Sequence, residues 1–249
     1  MNSVLIKYVS SLLLLGLMTA CSQPNGLSDI HDPFEAHNRQ VHAFNKQLDQ
    51  SVLRPIGQAT KTLPDGVKIP ISNFANNAGL PKSVVNNILQ ADLEGAITNI
   101  FRFGLNTTLG IAGLFDPATS LGIYEKEADF GQTLAGWGVS EGAYLEIIGI
   151  GPSTERDAAG IVVDFVLDPL GRFGTAKQVQ YGLAAKAADL VIARGQFSGS
   201  IDSVLYESAD SYAQSRLFYL QNRRFELGVD AENSYFDPYY DPYSDPYEN

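Results

Sequence analysis

A mostly α-helical fold is the architecture that this sequence predicts, on three observations. Apolar side chains recur at spacings of three, four and seven residues through much of the chain, which is the period of an amphipathic helix. Residues that cap helix N-termini precede several of these segments. Strand-like and helical segments do not alternate along the chain, so a parallel sheet with crossover helices is disfavoured.

The first 20 of the 249 residues have the pattern of a secretory signal peptide. Lys7 supplies a minimal positive region, an apolar stretch follows, and Thr19 and Ala20 are the small residues before Cys21. The apolar stretch is shorter than the roughly 20 residues that span a bilayer. The segment "LMTAC" resembles a bacterial lipobox, in which the cysteine is acylated and becomes the mature N-terminus.

Acylation explains why Cys21 is the only cysteine in the chain. An exported chain with one cysteine has no disulfide framework and no thiol metal site. Ser22 follows it, where an aspartate would retain a lipoprotein at the inner membrane. The sequence therefore predicts a lipidated tether over residues 21–31 and anchoring on the periplasmic side of an outer membrane. A leftover cysteine in an ordinary cleaved signal is the alternative.

Charge and composition indicate a folded body with an acidic shell. The net charge is −11 and apolar residues make up 45% of the chain, which disfavours nucleic acid as a partner. Part of the acid lies in residues 229–249, where Asp-Pro-Tyr repeats at positions 237, 241 and 245. Because this spacing of prolines prevents a helix, we expect a disordered, solvated tail. Docking of the tail on a partner is the alternative.

The first helix is expected to begin at Asp32 and to end near Arg54. Asp32 suits an N-cap, and Glu35 completes a capping box. Apolar residues then form one stripe: Phe34, Val41, Phe44, Leu48 and Val52. Prolines and glycines interrupt residues 60–83, so the sequence predicts a connector there, with a short helix around Asn73.

A helical period returns at Ser83. It is carried by Val84, Val85, Ile88, Leu89, Leu93, Ile97, Ile100 and Phe101. The next stretch, Phe103 to Phe115, contains no ionisable side chain and is either a central core helix or a segment that faces lipid. At membrane depth its backbone would have to be helical, because unpaired amides are costly in lipid.

The second half of the chain predicts further helices. "DFGQTLAGWG" indicates a short helix that closes at Gly136 and Gly138, and "AYLEIIGIG" indicates a strand-like run. Ser153 or Thr154 is expected to cap the next helix, whose apolar face contains Ala158, Ile161, Val162, Phe165 and Val166. Helices are also expected over residues 176–194 and 203–228.

No arrangement of residues in the sequence indicates an enzyme. His31, His37 and His42 lack the spacing of a metal-binding helix, so surface or capping roles are expected for them. "GIGPSTE" fails the pattern of a serine nucleophile and also that of a phosphate-binding loop. The sequence predicts neither a cofactor nor a metal site.

Several motifs together resemble the MlaA (VacJ) lipoprotein family over about residues 32–227. They are "DPFEAHNRQVHAFNKQLDQSVLRPIG", "ISNFANNAGLPKSVVNNILQAD", "FRFGLNTTLGIAGLFDPA", "DFGQTLAGWGV", "GPSTERDAAG" and "YLQNRRFEL". The resemblance implies a single ring-shaped helical domain, residues 32–228, with an amphipathic channel. It implies removal of mislocalised phospholipids from the outer leaflet and delivery to a periplasmic carrier of the MlaC type, in some bacteria beside a trimeric porin.

The resemblance also suggests where lipid and gate lie. Phe44 and Asn45 fall in a region that helps to set whether the family's channel is open or closed. We expect further lipid-path residues near the uncharged stretch: Phe101, Phe103, Leu105, Ile111, Leu114 and Phe115. A structural lipoprotein that braces a porin or the cell wall, and a phospholipase, are the alternatives.

Overall fold

The computed structural model describes residues 30–228. Within this range the chain is mostly helical, with one two-stranded antiparallel sheet, so the predicted fold class is confirmed. The signal peptide, Cys21, nearly all of the tether and the tail at 229–249 lie outside the described residues.

The elements follow one another in this order. The first half contains α1 (Glu35–Leu48), a π-helical turn (Asp49–Leu53), α2 (Arg54–Thr60), α3 (Asp65–Leu89), α4 (Leu93–Thr108), α5 (Pro117–Ser120) and α6 (Phe130–Gly136). The second half contains β1 (Tyr144–Ile147), β2 (Gly151–Thr154), α7 (Glu155–Leu167), α8 (Pro169–Phe173), α9 (Ala176–Gln196), α10 (Ser198–Asp202), a second π-helical turn (Ser203–Glu207) and α11 (Ser211–Glu226).

Locally capped elements match their predictions. The short helix α6 begins with a capping box, in which the Asp129 carboxylate accepts a hydrogen bond from the backbone amide of Gln132 at 2.8 Å. The strand-like run forms β1, which pairs with β2 so that Tyr144 opposes Thr154. Thr154 then caps α7 by accepting from the amide of Asp157. The segment 203–228, predicted as one helix, is divided between a π-helical turn and α11.

The N-terminal helix differs from its prediction at both ends. Asp32 does not cap α1, which begins at Glu35 without any side-chain cap. The buried Asp32 carboxylate instead accepts from Asn38 Nδ2 at 2.9 Å and contacts Tyr212 and Arg216 on α11. The helical path also continues past Arg54, because Pro55 lies in the first turn of α2, where no intrahelical amide is required.

The predicted connector at 60–83 is wrong, because α3 extends without interruption from Asp65 to Leu89. Pro70 and Pro81 lie inside it. An interior proline costs a helix about 3 kcal/mol. Here α3 packs along both α4 and α9, and this tertiary packing offsets the weak intrinsic propensity.

The interior of the described residues is more polar than apolar. Twelve apolar and twenty polar or charged side chains are buried within residues 30–228. The apolar core cluster is small and consists of Tyr144, Tyr212 and Leu220, with Tyr219 against it. Because buried polar groups are costly unless they are paired, the fold depends on hydrogen bonds between elements.

Candidate functional site

Helix α4 carries its apolar residues on the outside. Leu93 and Phe101 are 67% and 62% exposed, and Ile97 and Ile100 are also exposed. The opposite face is buried and polar. It presents Asn99, Arg102 and Asn106, at spacings of three and four residues. The apolar stripe predicted across Ile88, Leu93, Ile97, Ile100 and Phe101 is therefore present, but it points away from the protein interior.

Each buried polar residue of α4 has partners within the protein. Asn99 donates to Asn87 Oδ1 and to the Lys126 carbonyl, both at 2.8 Å. Arg102 pairs with Asp116 at 3.0 Å and donates to Thr119 at 3.0 Å. The side-chain oxygen of Asn106, Oδ1, accepts a hydrogen bond from the backbone amide of Ala118. These bonds fix which face of α4 lies inward.

Helix α3 has a polar inner face of the same kind. Asn86 donates to Asp164 of α7 at 2.8 Å and accepts from Thr133 of α6 at 3.0 Å. Asn77 donates to Thr107 of α4 at 3.1 Å. The antiparallel pair α3–α4 is thus held from inside by amide side chains, while aliphatic and aromatic side chains cover its outside.

Electrostatic interactions strengthen the contact that Arg102 of α4 makes with Asp116 at the start of α5. Burial raises the pKa of the Asp116 carboxyl, but hydrogen bonds from Thr119 and Asn106 and the charge of Arg102 outweigh it, so the net pKa is lowered. Nearby, burial together with the charge of Glu127 raises the pKa of Glu125. Asp116 therefore stays ionised opposite the buried Arg102 guanidinium.

The uncharged stretch is helical only in its first half. Helix α4 ends at Thr108, and the chain then forms tight turns in which Ile111 and Ala112 have φ values of 52° and 56°. Gly113, at φ 91°, packs so closely on Asn77 that a side chain there would overlap it. The predicted continuous helix is wrong, because hydrogen bonds from backbone and side-chain groups in these turns pair the polar backbone groups of the segment without a helix. One of them runs from Asn73 Nδ2 to the Leu114 carbonyl, at 3.1 Å.

The alternative of a central core helix over the same stretch is also wrong. Phe103, Leu109, Ile111, Leu114 and Phe115 are all exposed, and Leu105 is half-buried. Six of the eight candidate lipid-path or gating residues thus lie on α4 and the turns after it: Phe101, Phe103, Leu105, Ile111, Leu114 and Phe115.

The other two candidates lie on a different packing unit, α1 against β1. Phe44 is half exposed, and Val41 is the one buried residue of the apolar stripe predicted on the first helix. Asn45 donates to the Ile147 carbonyl at 2.9 Å and accepts from the Gly149 amide at 2.8 Å. Asn45 therefore clamps the β1–β2 hairpin turn, beside the exposed Ile148.

The inner face of α1 carries polar residues that join it to the hairpin. Asn38 donates to the Tyr144 carbonyl at 3.0 Å and accepts from the Glu146 amide at 3.0 Å. His42 is buried, with Nδ1 3.3 Å from Glu146 and Nε2 3.1 Å from Ser211. The surface or capping role predicted for His42 is therefore wrong.

Sequence reasoning missed further outward apolar residues. The predicted apolar face of α7 points outward at Ile161, Val162, Phe165 and Val166, and Phe173 of α8 is also exposed. Asn99, Arg102 and Asn106 recur at helical spacing opposite the apolar stripe of α4. This pattern was the sequence signal that could have indicated an outward-facing apolar stripe. Within residues 30–228, no helix is both long and apolar enough to cross a membrane. The same residues contain no cluster of His, Cys, Asp and Glu suited to a metal ion.

Comparison with known proteins identifies relatives over nearly all of this structure. The family model for the MlaA lipoprotein matches residues 30–226. The chain is 30% identical to the intermembrane phospholipid transport system lipoprotein MlaA of Escherichia coli K12, over 86% of this chain and 84% of that protein. The equivalent lipoprotein of Haemophilus influenzae is 28% identical, over 88% and 89% of the two chains.

A solved structure agrees with the sequence comparison. It is described as the structural basis for maintenance of bacterial outer membrane lipid asymmetry, and it superposes with a TM-score of 0.68 at 32% identity. The match covers 79% of this chain and 98% of that one. An uncharacterised protein of Rickettsia typhi is 36% identical, over 77% of this chain and 76% of its own. The chain therefore belongs to the MlaA lipoprotein family.

Proposed function

We propose that this protein is an outer-membrane lipoprotein, anchored through Cys21 on the periplasmic side, that removes mislocalised phospholipids from the outer leaflet. It would hand them to a periplasmic lipid carrier and so maintain lipid asymmetry. Family membership supports this proposal, and so does the Escherichia coli relative, which is named as a lipoprotein of an intermembrane phospholipid transport system. Because these relatives are named as transport lipoproteins, a transport role is favoured over an enzymatic one.

The inverted orientation of α4 is the observation that carries the proposal. Burying an exposed isoleucine or phenylalanine gains about 1.5–3 kcal/mol, so an outward row of them favours transfer into a lipid environment. The buried Asn99 and Arg102 keep polar groups on the inner side of the same helix. A path for phospholipid needs both chemistries, since acyl chains prefer apolar walls and headgroups prefer polar ones.

Phe44 and Asn45 are proposed to act in gating rather than in binding lipid tails. Asn45 ties α1 to the hairpin turn through its amide, so loss of this clamp would free the exposed turn around Ile148. Deletion of Phe44 and Asn45 is expected to release lipids in the wrong direction and to sensitise the membrane. Unchanged outer-leaflet phospholipid in that mutant would rule out the gating role.

The proposed partners follow from the pathway. They are phospholipid, a periplasmic carrier of the MlaC type and, in hosts that have one, a trimeric porin beside the lipoprotein. Purification in detergent is expected to retain phospholipid, without turnover to lysophospholipid or free fatty acid. Recovery of either product would favour a phospholipase instead.

Deletion of the gene tests the function directly. Surface-exposed phospholipid is labelled on intact cells of the deletion strain, a Cys21→Ala strain and a strain complemented with the wild-type gene. We expect outer-leaflet phospholipid to rise in the first two strains and to return to normal in the third. No rise in the deletion strain would contradict lipid transport and favour a bracing role.

A further inference from the structure

A half-enclosed cavity of about 470 Å³ lies where α2 ends, α3 begins and α9 ends. Its lining includes the side chains of Lys61, Asp65, Lys68 and Ile69. None of these residues belongs to the lipid-path or gating groups described above. Asn73 also lines the cavity, and its side-chain amide donates to the Leu114 carbonyl, so the cavity borders the turns that follow α4.

Charge is the unusual property of this cavity. The chain carries a net charge of −11, yet two lysines line one small site. Lys68 Nζ lies 3.0 Å from Asp65, and its side chain is mostly covered, whereas the Asp65 side chain is 77% exposed. Lys61 forms no salt bridge with any described residue. The site thus offers an uncompensated positive charge beside an accessible carboxylate.

The helix ends around the cavity contribute partial charges of both signs. Helix α3 begins at Asp65, so the positive end of its dipole lies at the first turn, which carries Asp65 and Lys68. Helices α2 and α9 end at Thr60 and Gln196, which also line the cavity. Their terminal carbonyls contribute partial negative charge. A ligand with one negative and one positive group matches this arrangement.

Apolar side chains continue from the cavity to the surface. Ile69 lines it and is half exposed, while Ile192 lines it from the buried side of α9. Leu63 and Val67, next to the cavity in sequence, are exposed. These residues place apolar surface close to the charged groups in sequence and, for Ile69 and Ile192, in the cavity lining itself. Apolar surface beside a charged site suits a ligand with a charged headgroup and hydrocarbon chains.

We propose that this cavity binds the zwitterionic headgroup of a phospholipid that carries a phosphate and a primary ammonium group. The phosphate contacts Lys61 and Lys68, and the ammonium contacts Asp65. The glycerol end and the first methylenes lie against Ile69. This assignment rests on the proposed transport function and adds to it a headgroup class and a place where the headgroup is held.

Binding of short-chain lipids to the purified, delipidated lipoprotein tests the proposal. The probes are dihexanoyl phosphatidylethanolamine, dihexanoyl phosphatidylglycerol, dihexanoylglycerol and inorganic phosphate, each titrated calorimetrically in detergent. The variants are K61Q/K68Q and Asp65→Asn. The control is K177Q/K186Q, which makes the same change in net charge at exposed positions of α9.

We expect K61Q/K68Q to weaken binding of the ethanolamine lipid at least tenfold, while K177Q/K186Q binds as the wild type does. Asp65→Asn should reduce the preference for ethanolamine over glycerol headgroups about threefold or more. Equal binding by K61Q/K68Q and wild type would overturn the headgroup site while leaving lipid transport intact. Tight binding of inorganic phosphate, equal to that of the lipid, would make the cavity a free-anion site and also overturn the proposal.

The proposed function fails in a different way. If the wild type, K61Q/K68Q and the control all bind no phospholipid, and no lipid accompanies the protein through purification, then both transport and the headgroup site are wrong. Melting temperatures of all variants, measured in the same detergent, show whether lost binding reflects lost folding. Unchanged melting with lost binding in K61Q/K68Q is the expected combination.

Discussion

A single buried arginine joins distant parts of the chain. The Arg194 guanidinium, on α9, donates to Asp49 at 2.7 and 2.8 Å and to Asp202 at 2.6 Å. Tyr206 adds a hydrogen bond to Asp49 at 2.8 Å. The π-helical turn after α1, the end of α9 and the second π-helical turn are therefore held by one charged cluster. Such clusters replace the large apolar core that this fold lacks.

Replacing Arg194 with methionine should be strongly destabilising. The change leaves the Asp49 carboxylate buried without its counter-ion, a situation that costs about 3–5 kcal/mol. Arg39→Met is the control, because Arg39 pairs with Asp210 and Glu35 on the surface, where an ion pair is worth about 0–1 kcal/mol. Urea unfolding followed by circular dichroism measures both free energies. Equal losses in the two variants would contradict the assigned role of Arg194.

The carboxylate of Asp157 makes stability depend on acid pH. Burial raises its pKa, but hydrogen bonds from Arg223 and Tyr219 and the charge of Arg223 outweigh burial, so the pKa is lowered. The hydrogen bond with Arg39 likewise lowers the pKa of Asp210, to about 2. A lowered carboxyl pKa stabilises the folded state above the unfolded value of about 3.9. That contribution is lost as the pH falls through the folded value.

We therefore expect the free energy of unfolding to fall as the pH is lowered from about 4 towards 2. Asp157→Asn should be less stable than wild type at pH 7 and should lose less stability over the acid range. Unfolding curves at pH 7, 4 and 3 measure both effects. A wild-type stability that stays constant down to pH 3, or a variant with the same acid loss as wild type, would contradict this assignment.

Among the elements, those set by local signals could be predicted from the sequence. The capping residues Asp129 and Thr154 lie next to the helices that they start, so α6 and α7 follow from a few adjacent residues. Helix α3 could not be predicted, because its prolines weaken it locally and packing on α4 and α9 stabilises it. Asp32 was misassigned for a similar reason, since its partners on α11 are about 180 residues away.

The candidate site was only partly predictable. Family resemblance pointed to Phe44 and Asn45, the uncharged apolar composition pointed to the region from Phe101 to Phe115, and periodicity gave α4 an apolar face. Periodicity does not say which way such a face points. The direction of α4 depends on partners of Asn99 and Arg102 in later segments, such as Lys126 and Asp116. The second half of the uncharged stretch turns because of positive φ angles that apolar composition does not encode.

Two glycines on helices should respond in opposite ways to alanine. A Cβ on Gly195 of α9 would overlap the Gly57 carbonyl oxygen of α2, so Gly195→Ala forces the helices apart and should cost about 1–3 kcal/mol. Nothing lies within 4 Å of a Cβ on Gly104 of α4, and alanine is favoured there by about 0.5–1 kcal/mol. Thermal unfolding separates the two. Destabilisation by Gly104→Ala would show that the outer face of α4 is covered by protein.

Across the whole described structure, a mostly polar interior is combined with an apolar exterior. Exposed large apolar residues occur on α1, α3, α4, α7, α9 and α11. Residues 30–228 contain no helix that could cross a membrane. From the exposed apolar residues we propose a lipid-anchored body whose apolar surfaces enter the membrane and whose helices are held together by buried polar contacts.

Phe101→Glu separates membrane contact from folding. The side chain is exposed, so the helix content and melting temperature in detergent should remain those of wild type. A charge at this position opposes entry into hydrocarbon, by about 2.5–3.5 kcal/mol at membrane depth on insertion scales. Outer-leaflet phospholipid should then rise towards the level of the deletion strain. Gln221→Glu, at an exposed position of α11, is the control for an added negative charge, and normal asymmetry in Phe101→Glu would contradict the membrane role of this face.

The most direct measurement is the accessibility of a nitroxide label at Phe101 in the lipoprotein reconstituted into vesicles. Cys21 is the only cysteine in the sequence, and in the proposed lipoprotein its thiol is acylated, so Phe101→Cys carries the label alone. Relaxation by dissolved oxygen is compared with relaxation by a water-soluble nickel chelate, with Glu127→Cys as the exposed control. A lipid-facing α4 predicts that dissolved oxygen relaxes the label at residue 101 more strongly than the nickel chelate does. At residue 127 the nickel chelate should relax the label more strongly than oxygen does. Nickel accessibility at residue 101 equal to that at residue 127 would contradict a lipid-facing α4.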